Sequence, residues 1–205
     1  MSTDCAIQVF TRAPVPGDCK TRLIPRHGPR GAARWHRRLT ERTLATARSS
    51  PADVEVWGSP DLRHPMFGSL RQRGVPLHRQ HGTDLGARMR FALNDAGRRG
   101  YPLRVLVGTD CPALTPAHLT AAMQALRDGT DCVLQAATDG GFVMIGSRVT
   151  LPPFALGTVD WSSGRELRQT IRRLRHCGLS TRIFDALDDV DHPDDLRRAR
   201  RARLI

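Results

Sequence analysis

The sequence predicts an α/β protein, a three-layer α/β/α sandwich around a mostly parallel sheet with one antiparallel element. Three observations carry this expectation. Short apolar runs of strand length recur at 5–10, 54–57, 75–78, 104–107, 132–135, 142–145 and 181–184. Stretches with apolar residues at helical spacing separate most of them, so successive strands pair in parallel through right-handed crossovers. Only "ATDGGF" joins two runs too closely for a helix, and it predicts a hairpin. Residues 6–10, 104–107 and 132–135 are expected as neighbours in one sheet.

Each helix has its own justification. Residues 32–48 carry Trp35, Leu39 and Thr43 at i, i+4 and i+8, and 85–96 carry Leu85, Met89, Ala92 and Ala96 on one face. Thr115 as N-cap and Pro116 at the first helical position start a helix over 116–127. Residues 164–176 place Leu167, Ile171 and Leu174 together, and Pro193 opens a terminal helix rich in arginine, with Asp194 and Arg198 as an i, i+4 pair.

At 205 residues and 40% hydrophobic content, the chain buries one good core, and 1–205 reads as a single domain. The net charge of +12 points to an anionic partner, although coding bias toward arginine would produce the same bulk charge. Aromatics are only 5% and not interleaved with basic residues, which disfavours nucleic acid stacked along a platform. Five cysteines without a C-x-x-C pair suit a reducing cytosol better than a disulfide framework or zinc site. The N-terminal apolar run is too short for a signal peptide, and no stretch is long enough to span a membrane. A cytoplasmic location is therefore expected; the sequence leaves oligomeric state open.

Ligands of such sheets bind beyond the carboxyl ends of the strands, which singles out four loops. The first, "APVPGDCKTRLIPRHG" at 13–28, is expected to form no regular structure. It holds Lys20, the only lysine beside 31 arginines. Gly17 and the prolines curve the backbone, and in an extended segment Lys20 and Arg22 point the same way. A lysine is a compact point charge able to reach between phosphates, where arginine's fork does not substitute freely. Lys20 is accordingly expected on a di- or triphosphate, flanked by Arg12, Thr21 and Arg22. The stretch lacks both P-loop and dinucleotide fingerprints.

In "VLVGTDCPAL", a strand delivers Asp110 at its tip, where a carboxylate suits Mg²⁺ (or Mn²⁺) bridging phosphates. In "ATDGGF", Asp139, Gly140 and Gly141 make either a tight turn or a place for substrate to approach. In "DALDDVDHPDDL", Asp188, Asp189 and Asp191 crowd together, and Asp191 is left free just outside the helix as a second metal carboxylate; an acidic capping cluster is the alternative. In one further stretch, "QHGTDLGARM", Thr83 or Asp84 caps a helix while Gly82 and Gly86 allow nucleotide close by.

The stretches "FTRAPVPGDCKTRL", "GTDLGARM", "VLVGTDCPAL", "ATDGGFVMIG" and "DVDHPDDL" resemble, in order and spacing, a bacterial family of uncharacterised predicted transferases. That family has a GT-A-like nucleotide-diphospho-sugar transferase fold. The K-T-R-L and D-x-D-x-P-x-D-L pieces are also similar to 2-phospholactate guanylyltransferases and molybdopterin nucleotidyltransferases. The resemblance implies that Lys20 and Arg22 bind nucleotide phosphates, that Asp110 and Asp191 bind the metal, and that Asp139, Gly140 and Gly141 lie near the acceptor. Trp161 matches a family position followed by small hydroxyl residues. Arg12, where the family has lysine, and Phe142-Val143-Met144, where it has "GGYYL", depart from the pattern. The second departure bears on acceptor identity. The expected function is metal-dependent nucleotidyl transfer from an NTP to a small phosphorylated or acidic acceptor; the alternative is glycosyl transfer from a nucleotide-sugar.

Overall fold

A computed structural model describes residues 3–205. Among these, seven strands form one sheet: β1 (Cys5–Arg12), β2 (Asp53–Ser59), β3 (Leu77–Arg79), β4 (Leu103–Val107), β5 (Cys132–Ala137), β6 (Phe142–Ser147) and β7 (Thr181–Leu187). Their spatial order is β3-β2-β1-β4-β6-β5-β7. All neighbours are parallel except β6, which runs antiparallel to both β4 and β5. The α/β class, the mostly parallel sheet and the hairpin at "ATDGGF" therefore hold.

The expected adjacency of 104–107 and 132–135 does not. β6 folds back after a short turn and inserts between them, pairing Leu106 with Ile145 on one side and Leu134 with Ile145 on the other. Periodicity marks a strand's existence and says nothing of its place in the order.

Among the described residues, six α-helices cover the sheet: α1 (Ile24–Arg48), α2 (Pro65–Gln72), α3 (Leu85–Arg98), α4 (Pro116–Arg127), α5 (Glu166–His176) and α6 (Pro193–Arg201). Alternation along the strands divides the core between two faces. Ile7, Val9, Val105 and Val107 pack with Leu44 of α1, Phe67 of α2 and Met123 of α4. Phe10, Leu106, Leu134 and Ile145 pack on the other face with Leu93 of α3 and Leu174 of α5. Three layers result. α6 is not merely solvated: Leu196 and Ala199 pack on Leu39 of α1. Its Asp194 pairs with Arg197, and Arg198 with Asp195, all at i, i+3, rather than Asp194 with Arg198.

The stretch 13–28 is more structured than expected. Its irregular part ends at Lys20, a 3-10 turn spans Thr21–Leu23, and α1 begins at Ile24 with Pro25 in its first turn. Gly28, at φ 65 and ψ 167, interrupts α1 and hides its first turns from a periodicity reading. α2 is an element that the apolar spacing does not announce. Thr115 caps α4 as expected, with its hydroxyl 2.8 Å from His118 Nδ1.

α3 is held tightly at its start. A Cβ built on Gly86 lies 1.9 Å from the Leu156 carbonyl oxygen, whereas one on Gly68 of α2 meets nothing within 4 Å. Both are helical, so propensity alone favours alanine at each by about 1 kcal/mol. We predict that Gly68→Ala stabilises by about 0.5–1 kcal/mol and that Gly86→Ala destabilises by about 2 kcal/mol, because backbone must move. Urea unfolding of both variants checks the signs; equal gains would show that the segment around Leu156 does not rest on α3.

Candidate active site

The loop leaving β1 is turned inward at Lys20, whose φ of 47 and ψ of 44 are left-handed, not the extended conformation expected. The turn buries the Lys20 side chain to 5% exposure. Its ammonium lies 3.0 Å from Asp110 Oδ2 and 2.9 Å from Asp191 Oδ1, and donates to the Val190 carbonyl. An ammonium has three protons, and three acceptors surround this one. Arg22 Nη1 donates to the other oxygen of Asp191 at 2.7 Å. Lys20, Arg22, Asp110 and Asp191 thus converge on one point from three separate parts of the chain.

Both carboxylates are held by backbone as well. Asp110 follows β4, Gly108 N donates to Val143 O of β6 at 3.0 Å, and Val190 N donates to Asp110 O at 2.8 Å. Asp110 Oδ1 is buried without a hydrogen-bond partner among the described residues. The sequence leaves Asp191 free, but it is engaged: its carboxylate accepts from Lys20 and Arg22, its N–H donates to Asp195 Oδ2 at 3.0 Å, and that same oxygen accepts from His192 N at the start of α6. Burial pushes the Lys20 ammonium down, but Asp110 and Asp191 outweigh it and hold it above its ordinary value. Burial raises the Asp191 carboxyl, yet Lys20 and Arg22 bring it below the usual range.

These groups stand at one side of a cleft of about 500 Å³. Phe10, Leu85, Met89, Phe142 and Trp161 give it apolar walls, while Asp110, Asp139, Glu166, Asp189 and Asp191 line it with five carboxylates against Arg22. The Trp161 ring meets Phe142 edge-on with centroids 6.1 Å apart, and Trp161 Nε1 is buried without a partner among the described residues. Glu166 Oε1 accepts from Ser163 N at 2.6 Å, fixing the loop that carries Trp161. Asp139 makes the tight turn, accepting from Gly141 N at 2.8 Å, and still lines the cleft. Gly140 stands at φ 92, and a Cβ there would lie 2.1 Å from the Gly164 carbonyl oxygen. That close approach packs the hairpin against the Trp161 loop.

The other residues singled out from sequence lie elsewhere. Gly17 (φ 97) and the exposed Thr21 shape the loop around Lys20 without lining the cleft. Asp84 caps α3, accepting from Ala87 N at 2.9 Å, and so spends its carboxylate on the helix. Arg12 and Gly82 line a second cleft nearby. His36 on α1 fixes the end of β1, with Nε2 3.0 Å from Arg12 O. Sequence reasoning does not single out Glu166, Phe10 or Met89, and it names Asp189 only as one of a crowd. The D-D-x-D spacing is the available signal for Asp189; nothing local marks the others.

Burial, Asp139 and Asp191 push the Asp189 carboxyl up to about 6. An unfolded aspartate titrates near 3.9, so the folded state binds this proton more tightly. Stability from this group is therefore present below about pH 4 and lost as pH rises through about 6. We predict that Asp189→Asn, melted in chelator at pH 8, exceeds wild type by about 1–2 kcal/mol after allowance for solvent screening, or roughly 3–6 °C. The gain should vanish near pH 4. A gain independent of pH would place its origin outside this carboxylate's charge.

Among solved structures, the chain is similar to a candidate nucleotide-diphospho-sugar transferase from Desulfovibrio desulfuricans G20. Identity is 27% and the TM-score 0.89, over 99% of this chain and 88% of that one. It shares its fold with a nucleotidyl transferase from Methanothermobacter thermautotroptrophicus, at 17% identity and TM-score 0.66 over 98% and 97% of the two chains. It shares it also with 2-C-methyl-D-erythritol 4-phosphate cytidylyltransferase from Thermus thermophilus, at 16% identity and TM-score 0.57 over 100% of both. No curated protein matches it in sequence. Residues 43–163, more than half of the chain, match the model of a family described as an uncharacterized protein conserved in bacteria (DUF2064), and the chain belongs to that family.

Proposed function

We propose that the protein is a metal-dependent transferase with a nucleotide donor, and that its reaction is nucleotidyl transfer from an NTP to a small acceptor. One observation carries the reading: a lone lysine is buried between two carboxylates that arrive from distant strand ends, and both carboxylates line a cleft. A structural ion pair alone does not need carboxylates that open onto a cavity of this size.

The residues fit a divalent cation. Asp110 Oδ1 is a buried lone pair with no donor among the described residues, and Asp110 and Asp191 already converge on a single cation, the Lys20 ammonium. Mg²⁺ binds through one or two carboxylates and completes its shell with water and substrate phosphates, so two carboxylates suffice. Asp110 and Asp191 would hold it. When bound, it would offset charge on the phosphates that five lining carboxylates otherwise repel.

In the transfer, an acceptor oxygen bonds to the α-phosphorus and the bond to the β-bridging oxygen breaks. Pyrophosphate leaves with the electron pair. Lys20 and Arg22 carry positive charge where this negative charge gathers, and such preorganised electrostatics dominate phosphoryl chemistry. A hydroxyl acceptor would lose its proton to a lining carboxylate, and Asp139, which lines the cleft, is the candidate. The phosphorylated or acidic acceptor expected from sequence needs a cationic seat that this acidic cleft does not supply by itself. Glycosyl transfer is the second reading, favoured by the Desulfovibrio desulfuricans protein's description as a nucleotide-sugar enzyme.

We predict that NTPs raise the melting temperature only with Mg²⁺ present, and that nucleotide-sugars raise it less. The reverse order would favour glycosyl transfer. Lys20→Arg keeps the charge but replaces three rotatable donors by a rigid fork. It should weaken Mg²⁺–NTP binding by about tenfold or more, a loss of at least about 1.4 kcal/mol. Wild-type affinity in Lys20→Arg would make the single lysine an accident of composition.

A further inference from the structure

A second cleft, of about 300 Å³, opens at the carboxyl ends of β1, β2 and β3, lined by Arg12, Arg79, Arg88, His81, Gln80 and the backbone at Gly82. Among the described residues, no carboxylate lines it. The nearby acids are otherwise engaged: Asp84 accepts from Ala87 N and from the Thr83 hydroxyl, and Asp61 accepts from Arg63 N. Unpaired arginines are common on a surface of net charge +12, so a single one here would mean little. Three converging on one concavity without a counter-charge repel one another, and that arrangement suits an anion.

The guanidinium groups are positioned rather than loose. Arg79 Nε donates to Pro60 O at 3.1 Å and Arg88 Nε to Gly82 O at 3.2 Å. Each bond engages Nε and leaves the two terminal nitrogens, which can form one bidentate fork to a phosphate. The Gln80 amide is pinned to Thr11 O and Trp57 O. Gly82, at φ 145, sits against α3 so closely that a Cβ would lie 2.7 Å from Arg88 N. A side chain there would collide with the start of α3.

This cleft adjoins the first one. Phe10 lines the main cleft and Arg12 the second, two residues apart on the same face of β1, about 7 Å along the strand. Leu85 and Met89 of α3 line the main cleft, and Arg88 the second. An acidic, apolar-walled cavity therefore continues into a basic one along a single rim.

We propose that the Arg12–Arg79–Arg88 cleft seats the phosphate-bearing end of a substrate whose reacting end lies at Lys20, Asp110 and Asp191. The proposal rests on the nucleotide-transfer reading above. The phosphate is either the donor's polyphosphate or a phosphate on the acceptor, and the chemistry recognised is the same.

Calorimetry with tripolyphosphate, without metal, tests it on wild type, on the Arg79→Ala/Arg88→Ala double variant, and on Arg168→Ala/Arg175→Ala. The last pair removes the same charge from exposed positions of α5. The cleft pair should lose affinity by at least about tenfold, while the α5 pair stays close to wild type. No binding by wild type, equal binding by the cleft pair, or equal losses in both pairs overturns the proposal. Glycerol 1-phosphate titrated with NTP at saturation separates the sources. Competition assigns the cleft to the donor, and retained binding that still needs Arg79 and Arg88 assigns it to the acceptor. Lys20→Arg measured in parallel keeps the two claims apart: if it binds Mg²⁺–NTP like wild type while the cleft pair loses tripolyphosphate, the cleft stands and the reading at Lys20 falls.

Discussion

The burial of one ammonium governs this structure. Lys20 joins the loop after β1, the loop after β4 and the link from β7 to α6, three segments that the sheet alone only brings near one another. Burying a cation costs several kcal/mol unless its partners surround it, and here all three of its protons find acceptors. The partners are themselves only partly buried, with the Asp110 and Asp191 side chains 44% and 32% exposed. The junction is closed toward the protein and open toward the cleft. A structural clamp of this kind does not need the open side; a site that exchanges its cation for substrate charge does.

Charge is also divided along the rim of the sheet. The carboxyl ends of β4, β5 and β7 present carboxylates, whereas those of β1 and β3, with the first turn of α3, present arginines. A net charge of +12 says nothing of this division, since it sums over the whole chain. A molecule with an anionic end and a reacting centre that needs a metal would lie across both regions. Gly86 and Gly140 hold the apolar wall in place by admitting backbone where any side chain would collide, so the shape of the cleft depends on residues that offer no chemistry.

Much of this is legible in the chain. Lys20, Arg22, Asp110 and Asp191 each follow a strand, and the rule that ligands gather beyond strand ends selects them before any coordinate is known. The fold class follows from alternating strand and helix patterns. What stays hidden is non-local. Insertion of β6 between β4 and β5 is a choice of partner, invisible to periodicity. Lys20 reaches its position through a left-handed backbone rather than an extended one, because the buried contacts of its side chain outweigh a conformational cost of about 1–2 kcal/mol. Glu166 lines the cleft only because a loop folds across the hairpin, and Arg79 and Arg88 meet Arg12 only because β1 and β3 end where α3 begins. In sequence each looks like one more solvated charge.

In the proposed reaction, Asp110 and Asp191 exchange the Lys20 ammonium for a divalent cation when nucleotide enters. Electron paramagnetic resonance of Mn²⁺ reads this directly, since the sharp signal of the free ion falls as it binds. With an NTP present, wild type should deplete free Mn²⁺ well beyond what the nucleotide alone does, and Asp110→Asn should not. Equal depletion by the two proteins would contradict the account and leave Asp110 as a partner of Lys20 only.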